Sequence, residues 1–428
     1  MKKVLIISYF FPPCSLTAGQ RAQGWANYLS EHGYYPTIIT RRWDQEIKTP
    51  EDALTSSKDE VIHEKNDRYE VFYLPYKASL RDQLYTRFSG SPLQKLSRAF
   101  TFLSLVAENF TFKAIPSRNM YHKAKEWIAE NEDVQSVVIT GLPFNQFSFG
   151  HRLKKKTHIN WIADYRDDWN TSDFVGTSGV GFLSRIVKKM AIRSEKKWIG
   201  SAECITSVSP YYVNKISNFV KRPGHVLLNG FELEVPKGTL KSDHFVITYN
   251  GSLYATQPIE DVLAVVERLI TEDKVPILLQ FPGAAFDPIQ KKRIEDSGRA
   301  ILDNISITDR IPKEEVLQLQ ANSDALLMIS HSNMKGIPSS KLYEYLCFEK
   351  PIIQYPNDFD IVESTLTETN LGICSSTTDE LYTSIKQLID QKFEKTGVHL
   401  RPNKVAIQSY SRKMQTKLLA DLLNKIEK

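Results

Sequence analysis

The sequence is poor in cysteine. Its four, Cys14, Cys204, Cys347 and Cys374, are scattered along 428 residues without a Cys-x-x-Cys pair. That pattern builds neither a zinc site nor a disulfide framework and suits a reducing compartment, so a cytoplasmic chain is expected. The histidines His122, His151, His158 and His225 show no metal spacing either and read as structural. Long apolar runs are missing: nothing approaches the roughly 18 residues that cross a bilayer. The opening Met1-Lys2-Lys3-Val4-Leu5-Ile6-Ile7-Ser8 is too short in its apolar part for a secretory leader and is soon followed by Phe11-Pro12-Pro13. It reads as a buried first strand. No charge sign dominates, with a net charge of +5. Without a recognisable reading motif or a continuous basic helix, that excess does not argue for nucleic acid.

What is present is an ordinary globular composition, 41% hydrophobic and 25% charged. The length exceeds what one core usually supports, so two domains are expected. Val4 to Ser8 reads as a strand, a helix follows from about Gln20 to His32 with Ala22, Trp25, Ala26 and Leu29 inward, and Pro36 to Thr40 is a second strand. One strand-helix-strand unit implies a parallel sheet. Further strands are read at Val71 to Leu74, Val134 to Thr140, Ile159 to Ala163, Cys204 to Val208 and Val226 to Leu228; residues 44–68 read as irregular. Glu232 to Ser242, with Pro236 and Gly238, reads as a linker. The alternation then restarts, with strands at Phe245 to Tyr249, Ile277 to Phe281, Ile305 to Ile307 and Ala325 to Ile329. Two Rossmann-like α/β domains are the expected architecture, with chemistry in the loops that follow the strands.

Four segments carry candidate chemistry. In the first, Pro338-Ser339-Ser340-Lys341-Leu342-Tyr343-Glu344-Tyr345-Leu346, Ser339 or Ser340 can cap a short helix whose inward stripe is Leu342, Tyr345 and Leu346. Lys341 and Glu344 share a face. They form either an i,i+3 surface ion pair or a clamp for a phosphate and a ribose. In the loop Pro12 to Arg21, Gly19 lets backbone approach a ligand, helix-start amides attract an anion, and Arg21 adds a charged fork. Asp164-Tyr165-Arg166-Asp167-Asp168-Trp169 masses charge directly after a buried strand. In Tyr249-Asn250-Gly251-Ser252-Leu253, Gly251 again permits close backbone approach. Residues 77–125 add nine Lys/Arg against Asp82 and Glu108, interleaved with Phe88, Leu93, Leu96, Phe100, Phe102, Leu103 and Leu105. That pattern suits either two core helices or weak contact with an anionic membrane surface.

Taken in order, these landmarks resemble the GT-B glycosyltransferases, close to the retaining family-four enzymes. The Glu344 helix, the Phe348-Glu349-Lys350-Pro351 turn and the Ile352-Ile353 strand resemble that family's nucleotide-sugar motif. The resemblance implies an N-terminal acceptor domain, residues 1–235 with a terminal helix 408–428 crossing back to it, and a nucleotide-sugar domain, residues 236–407, with a cleft between them. It implies transfer from a nucleotide-diphosphate sugar, as co-substrate, to a hydroxyl of a glycan or lipid-linked glycan acceptor, as in surface polysaccharide synthesis. Retention of configuration and no cofactor or metal are implied with it. By the same resemblance Glu344 binds the donor ribose. Lys341 neutralises the leaving diphosphate, with Arg21, Gly19 and the Gly251-Ser252 amides assisting, because Tyr254 to Pro258 lacks the family's cations. Arg310 approaches the nucleotide base. Asp164 or Asp167 serves the acceptor hydroxyl, oriented by Arg166. Gly336 stands where the family often carries a second Glu, so the sugar contact is expected from amides between Gly336 and Ser340 or from elsewhere. A cytoplasmic enzyme, peripheral on the inner membrane face through residues 77–125, follows. A nucleotide-sugar epimerase and a non-catalytic GT-B subunit that binds a glycan or partner are the alternatives.

Overall fold

The computed structural model describes residues 1–428 except 46, 48–50, 89–99, 102, 105, 109–110, 173–181, 233, 240–241, 333 and 398, and gives only backbone for 182–184. The chain divides into two compact units. One is Met1–Asn229 with Arg412–Lys428, the other Gly230–Ser411. The first boundary falls inside the Asn229-Gly230-Phe231 turn, where Gly230 has φ +67°.

The first unit is built on β1 (Lys2–Ile7), β2 (Tyr34–Arg41), β3 (Ile62–Lys65), β4 (Glu70–Leu74), β5 (Ser136–Thr140), β6 (Asn160–Tyr165), β7 (Cys204–Ser207) and β8 (Gly224–Val226). They form one eight-stranded sheet in the order β3-β4-β2-β1-β5-β6-β7-β8. All described pairings are parallel except β3 with β4. The central strands are buried on both faces, which accounts for their apolar runs: Val4, Leu5, Ile6 and Ile7 are all fully buried. The edge strand β3 falls inside the segment read as irregular. Its residues Ile62-His63-Glu64-Lys65 are all exposed, so it carries no burial pattern for a sequence to show.

The opening helix runs Gly19–Tyr28, tightens into a 3-10 turn over Leu29–His32 and ends at Gly33. Ala22, Trp25, Ala26 and Leu29 are buried on it as expected. The closing helix Arg412–Ile426 packs along it within the first unit. In the sequence its apolar residues Met414, Leu418, Leu419, Leu422 and Ile426 lie along one side; the stripe that turns inward is rotated from that one and keeps Leu419 and Leu422. Leu419, Ala420, Leu422 and Leu423 enter the core beside Ala22, Trp25 and Leu29, whereas Met414 and Leu418 are 39% and 46% exposed. Two polar residues, Gln415 and Thr416, occupy the buried side instead. Gln415 Oε1 accepts from the Leu228 amide, and the Thr416 hydroxyl reaches the Gly24 carbonyl. Gly24 allows this approach, since a methyl there would lie 3.0 Å from Arg412 Cδ.

The second unit carries β9 (Phe245–Thr248), β10 (Ile277–Phe281), β11 (Ile305–Ile307), β12 (Ala325–Ile329), β13 (Ile352–Tyr355) and β14 (Gly372–Cys374). They form an all-parallel sheet in the order β11-β10-β9-β12-β13-β14. That is the doubly wound order, with the connection reversing between β9 and β12. The segment read as a linker lies against the helix Lys313–Asn322: the Asn322 side chain accepts from the Thr239 amide, and Gln318 donates to the Lys237 carbonyl.

Leu419→Ala is expected to destabilise the first unit by roughly 2–5 kcal/mol, because the site is fully enclosed. Urea unfolding followed by tryptophan fluorescence checks this. A shift of about 0.5 kcal/mol or less would contradict the packing of the closing helix.

Candidate functional site

In a doubly wound sheet the loops after the two strands flanking the reversal diverge and leave a crevice at the strands' carboxyl ends. In the second unit those loops follow β9 and β12, and the first candidate segment lies there. Ser339 caps the helix Ser340–Leu346 by accepting from the Lys341 amide, while Ser340 is exposed. Leu342, Tyr345 and Leu346 are fully buried, and so is Tyr343. Burying these leaves Lys341 and Glu344 pointing toward the β9 loop.

The two charges do not pair with each other as an ordinary surface couple; each takes partners across the reversal. Lys341 Nζ donates to Tyr249 Oη at 2.7 Å and to the Ser252 carbonyl at 2.9 Å, and it lies 4.2 Å from the Tyr249 ring centroid. Its Cε is 3.5 Å from where a methyl on Gly251 would sit, and Gly251 has φ +82°. Lys341 thus stands over the turn whose following residues lack cations. Burial pushes its ammonium down to about 7, against the pull of the Glu344 carboxylate. Glu344 Oε1 accepts from Asn250 Nδ2 at 2.9 Å and from Gln320 Nε2 at 2.7 Å. With Oε1 engaged twice, Oε2 is held ready for a further donor. Tyr345 Oη accepts from the Asn250 amide at 2.9 Å and fixes the same loop.

The sequence reading missed Asn250, Gln320 and Tyr345 as partners. Asn250 stood in view beside Gly251; Gln320 lies mid-helix with no local signal. It also missed Arg293, which donates to the Tyr254 and Gln257 carbonyls and pairs with Glu260, so it braces the stretch without cations. At Gly336 the backbone has φ +76°, and its amide donates to the Asp360 carboxylate. That amide and the Lys341 amide are therefore already used inside the protein. Arg310 is exposed and stacks 3.6 Å from the Phe286 ring centroid, in the loop after β11, two strand positions from β9. It does not join Lys341 and Glu344.

In the first unit the geometry corrects three expectations. Asp164, on β6, is fully buried. Arg21 Nη2 donates to its Oδ1 at 2.7 Å, Nε reaches Oδ2 at 3.0 Å, and the Thr206 hydroxyl donates to Oδ1 at 2.6 Å. Arg21 Nη1 donates to the Leu227 and Leu228 carbonyls, both at 2.9 Å. A carboxylate so enclosed is not a base for an acceptor, and an arginine so occupied is not a phosphate ligand. The pair instead ties the opening helix to β6, β7 and the end of β8. Gly19 is likewise buried, and its amide donates to the Leu16 carbonyl at 3.0 Å. A turn ahead of the helix takes the amide an anion would have needed. Asp167 remains accessible, its side chain 49% exposed and paired with Arg166 at 2.9 Å. Trp169, stacked between Phe144 and Trp198, anchors that loop, as does Asn170, which donates to the buried Glu195.

Among the described residues, no group of three or more His, Cys, Asp or Glu is placed to hold a metal, and no helix is long and apolar enough to cross a membrane. No known family profile matches the sequence, and no curated protein matches it either. Solved structures do. Sucrose-phosphate synthase from Thermosynechococcus elongatus superposes with a TM-score of 0.63 at 14% identity, over 100% of this chain and 99% of its own. The UDP-forming α,α-trehalose-phosphate synthase from Burkholderia vietnamiensis gives 0.61 at 10%, over 100% and 99%. HepE from Anabaena, in complex with UDP, gives 0.60 at 10%, over 99% and 100%. The chain has the GT-B fold.

Breaking the buried ion pair tests the corrected role of Asp164. Asp164→Ala leaves Arg21 charged and enclosed and is expected to cost about 3–5 kcal/mol of stability. A variant with unchanged thermal unfolding but lost activity would return Asp164 to the reacting groups.

Proposed function

We propose that this chain transfers a sugar from a nucleotide-diphosphate sugar to a hydroxyl acceptor. One observation carries the reading: Lys341 and Glu344 converge with Asn250 and the Gly251 turn at the strand reversal of the second unit. A nucleotide-diphosphate sugar presents a ribose diol beside two phosphates. Glu344 Oε2 accepts from the ribose hydroxyls, its position set by the two donors on Oε1. Lys341 exchanges Tyr249 and Ser252 for phosphate oxygens and balances the charge that grows on the leaving diphosphate as the glycosidic bond breaks. Asp167, oriented by Arg166, accepts from the acceptor hydroxyl. The acceptors proposed are glycans or lipid-linked glycans of surface polysaccharides, with retained configuration and without a metal. The fold shared with HepE, which binds UDP, supports the same reading.

A second reading is favoured by Gly336, which offers no side chain and whose amide is held by Asp360. On that reading the chain is a non-catalytic subunit that binds a glycan or a partner protein. Calorimetry with UDP-glucose and GDP-mannose, followed by assays for donor hydrolysis and transfer, separates the two. Binding of neither donor would overturn the transferase reading; binding without turnover favours the subunit.

Two further outcomes are expected. Glu344→Ala should weaken donor binding by roughly 1–3 kcal/mol in a folded protein, and an unchanged Kd would remove the ribose assignment. The pH profile is set by Lys341, whose free ammonium titrates at about 7. A bound diphosphate raises that pKa, so binding takes up a proton. Affinity for UDP-glucose should hold steady below pH 7 and fall above it, by up to about tenfold per pH unit. Lys341→Met should flatten the profile; a wild-type profile flat from pH 6 to 9 would exclude Lys341 from the phosphates.

A further inference from the structure

The helix Phe182–Ile199 follows the Asp167 loop and reads FLSRIVKKMAIRSEKKWI. It carries Arg185, Lys188, Lys189, Arg193, Lys196 and Lys197 against one acid, Glu195. A helix is legible at about Leu183 to Ile199, but the apolar residues that interrupt its cations hide its basic face. Its inner face is Ala191, Glu195, Trp198 and Ile199, all buried. Glu195 is consumed there by Tyr165 Oη and Asn170 Nδ2, at 2.8 and 2.7 Å. It neutralises nothing outside. Successive steps of three or four residues place Arg185, Lys189, Arg193 and Lys196 on one stripe, and all four are exposed. None forms an ion pair among the described residues. Ile186, 37% exposed, and the half-exposed Met190 lie along the same outer side.

The positive surface continues onto the neighbouring helix Phe147–Thr157, which packs against this one. His151 lies between them. Burial and then the charges of Lys155, Lys197 and Arg152 hold its imidazole below its usual value, which places cations of both helices around one point. The two helices together carry ten Lys/Arg against one acid, Glu195, and of the ten Lys154 is paired with Glu203.

We propose that this face, centred on Arg185, Ile186, Lys189 and Arg193, docks the protein on an anionic phospholipid bilayer. An anionic headgroup layer matches the stripe, whose cations form no ion pair among the described residues although Lys196 lies 4.5 Å from the Phe219 ring centroid, and Ile186 and Met190 between them suit the boundary just below the headgroups. A nucleic-acid backbone would use the charges alone. The face differs from residues 77–125, where Arg81 is already paired with Asp82 and Glu108, and where Leu93, Leu96, Phe102 and Leu105 lie outside the described residues. The inference stands apart from the donor reading, because no residue in it touches Lys341 or Glu344.

Flotation with vesicles of phosphatidylcholine containing phosphatidylglycerol, against pure phosphatidylcholine, tests it on the full chain. Binding is expected only to the anionic vesicles and only at low salt. The triple variant Arg185→Gln, Lys189→Gln, Arg193→Gln should bind about 100-fold more weakly, from several-fold per cation, with unchanged UDP-glucose binding. Lys291→Gln, Lys292→Gln, Lys313→Gln removes equal charge from the second unit and should bind as wild type. Ile186→Ser should weaken vesicle binding by about threefold or more without changing binding to duplex DNA. Absence of binding to anionic vesicles overturns the proposal, and so does equal loss in the control triple. Binding to duplex DNA tighter than to vesicles and indifferent to Ile186→Ser would assign the face to nucleic acid instead. Should the triple variant fail to fold, Ile186→Ser and the salt titration of the wild type decide the question.

Discussion

The reversal of strand order between β9 and β12 is the constraint on which the second unit's chemistry rests. Strands on one side of that line are followed by crossovers to one face of the sheet, strands on the other by crossovers to the opposite face. The loops after β9 and β12 must therefore part. Into that gap the capped helix Ser340–Leu346 delivers two opposite charges. Four aromatic or apolar side chains buried on its other side fix its rotation. Neither charge, both half-buried, then pairs with its helical neighbour. Lys341 meets a phenol and a carbonyl, and Glu344 meets two amides. An ammonium held among so few dipoles sheds its proton more easily than in water, and a phosphate would restore what burial removed.

The first unit solves a different problem with the same topology. Charges crowd the carboxyl ends of its strands, yet the most central of them, Asp164, serves the fold. Arg21 spends its whole fork on that carboxylate and on two carbonyls near the chain's exit from the unit. A buried pair of this kind gains little over apolar packing, but loss of one partner leaves a charge stranded. What remains open to solvent is the shell outside it: Asp167 with Arg166, and beyond the loop the cationic helix. Closing helix, opening helix and strand ends are thereby bound into one body, with the polar Gln415 and Thr416 buried at their seam because each meets a backbone partner.

Much of this was legible in the residues. Apolar runs bounded by turn residues located the principal strands, since strands buried on both faces must be apolar throughout. The motif helix was legible because cap, stripe and turn agreed. Edge strand β3, exposed along its length, left no such trace. The closing helix was recognised but turned by a notch, because its pattern was read from apolar residues alone while two of its buried positions are polar. Asp164 was misread because a charge at a strand's end is the same letter whether it faces ligand or arginine. The helix Phe182–Ile199 was legible, but its basic face was not, because its charges repeat at helical rather than sequential spacing.

Sequence alone determined the α/β alternation, the two-part organisation, the helix that carries Lys341 and Glu344, and their shared face. The two-part organisation follows from chain length and from the alternation restarting after residue 242; the rest follow from local patterns, each within about twenty residues. Only tertiary structure decided which charges are available. Arg21 meets Asp164 across 143 positions and Asn250 meets Glu344 across 94. Pairings of that reach depend on how strands are ordered in a sheet, and no local propensity encodes the distance between two loops that the fold brings together.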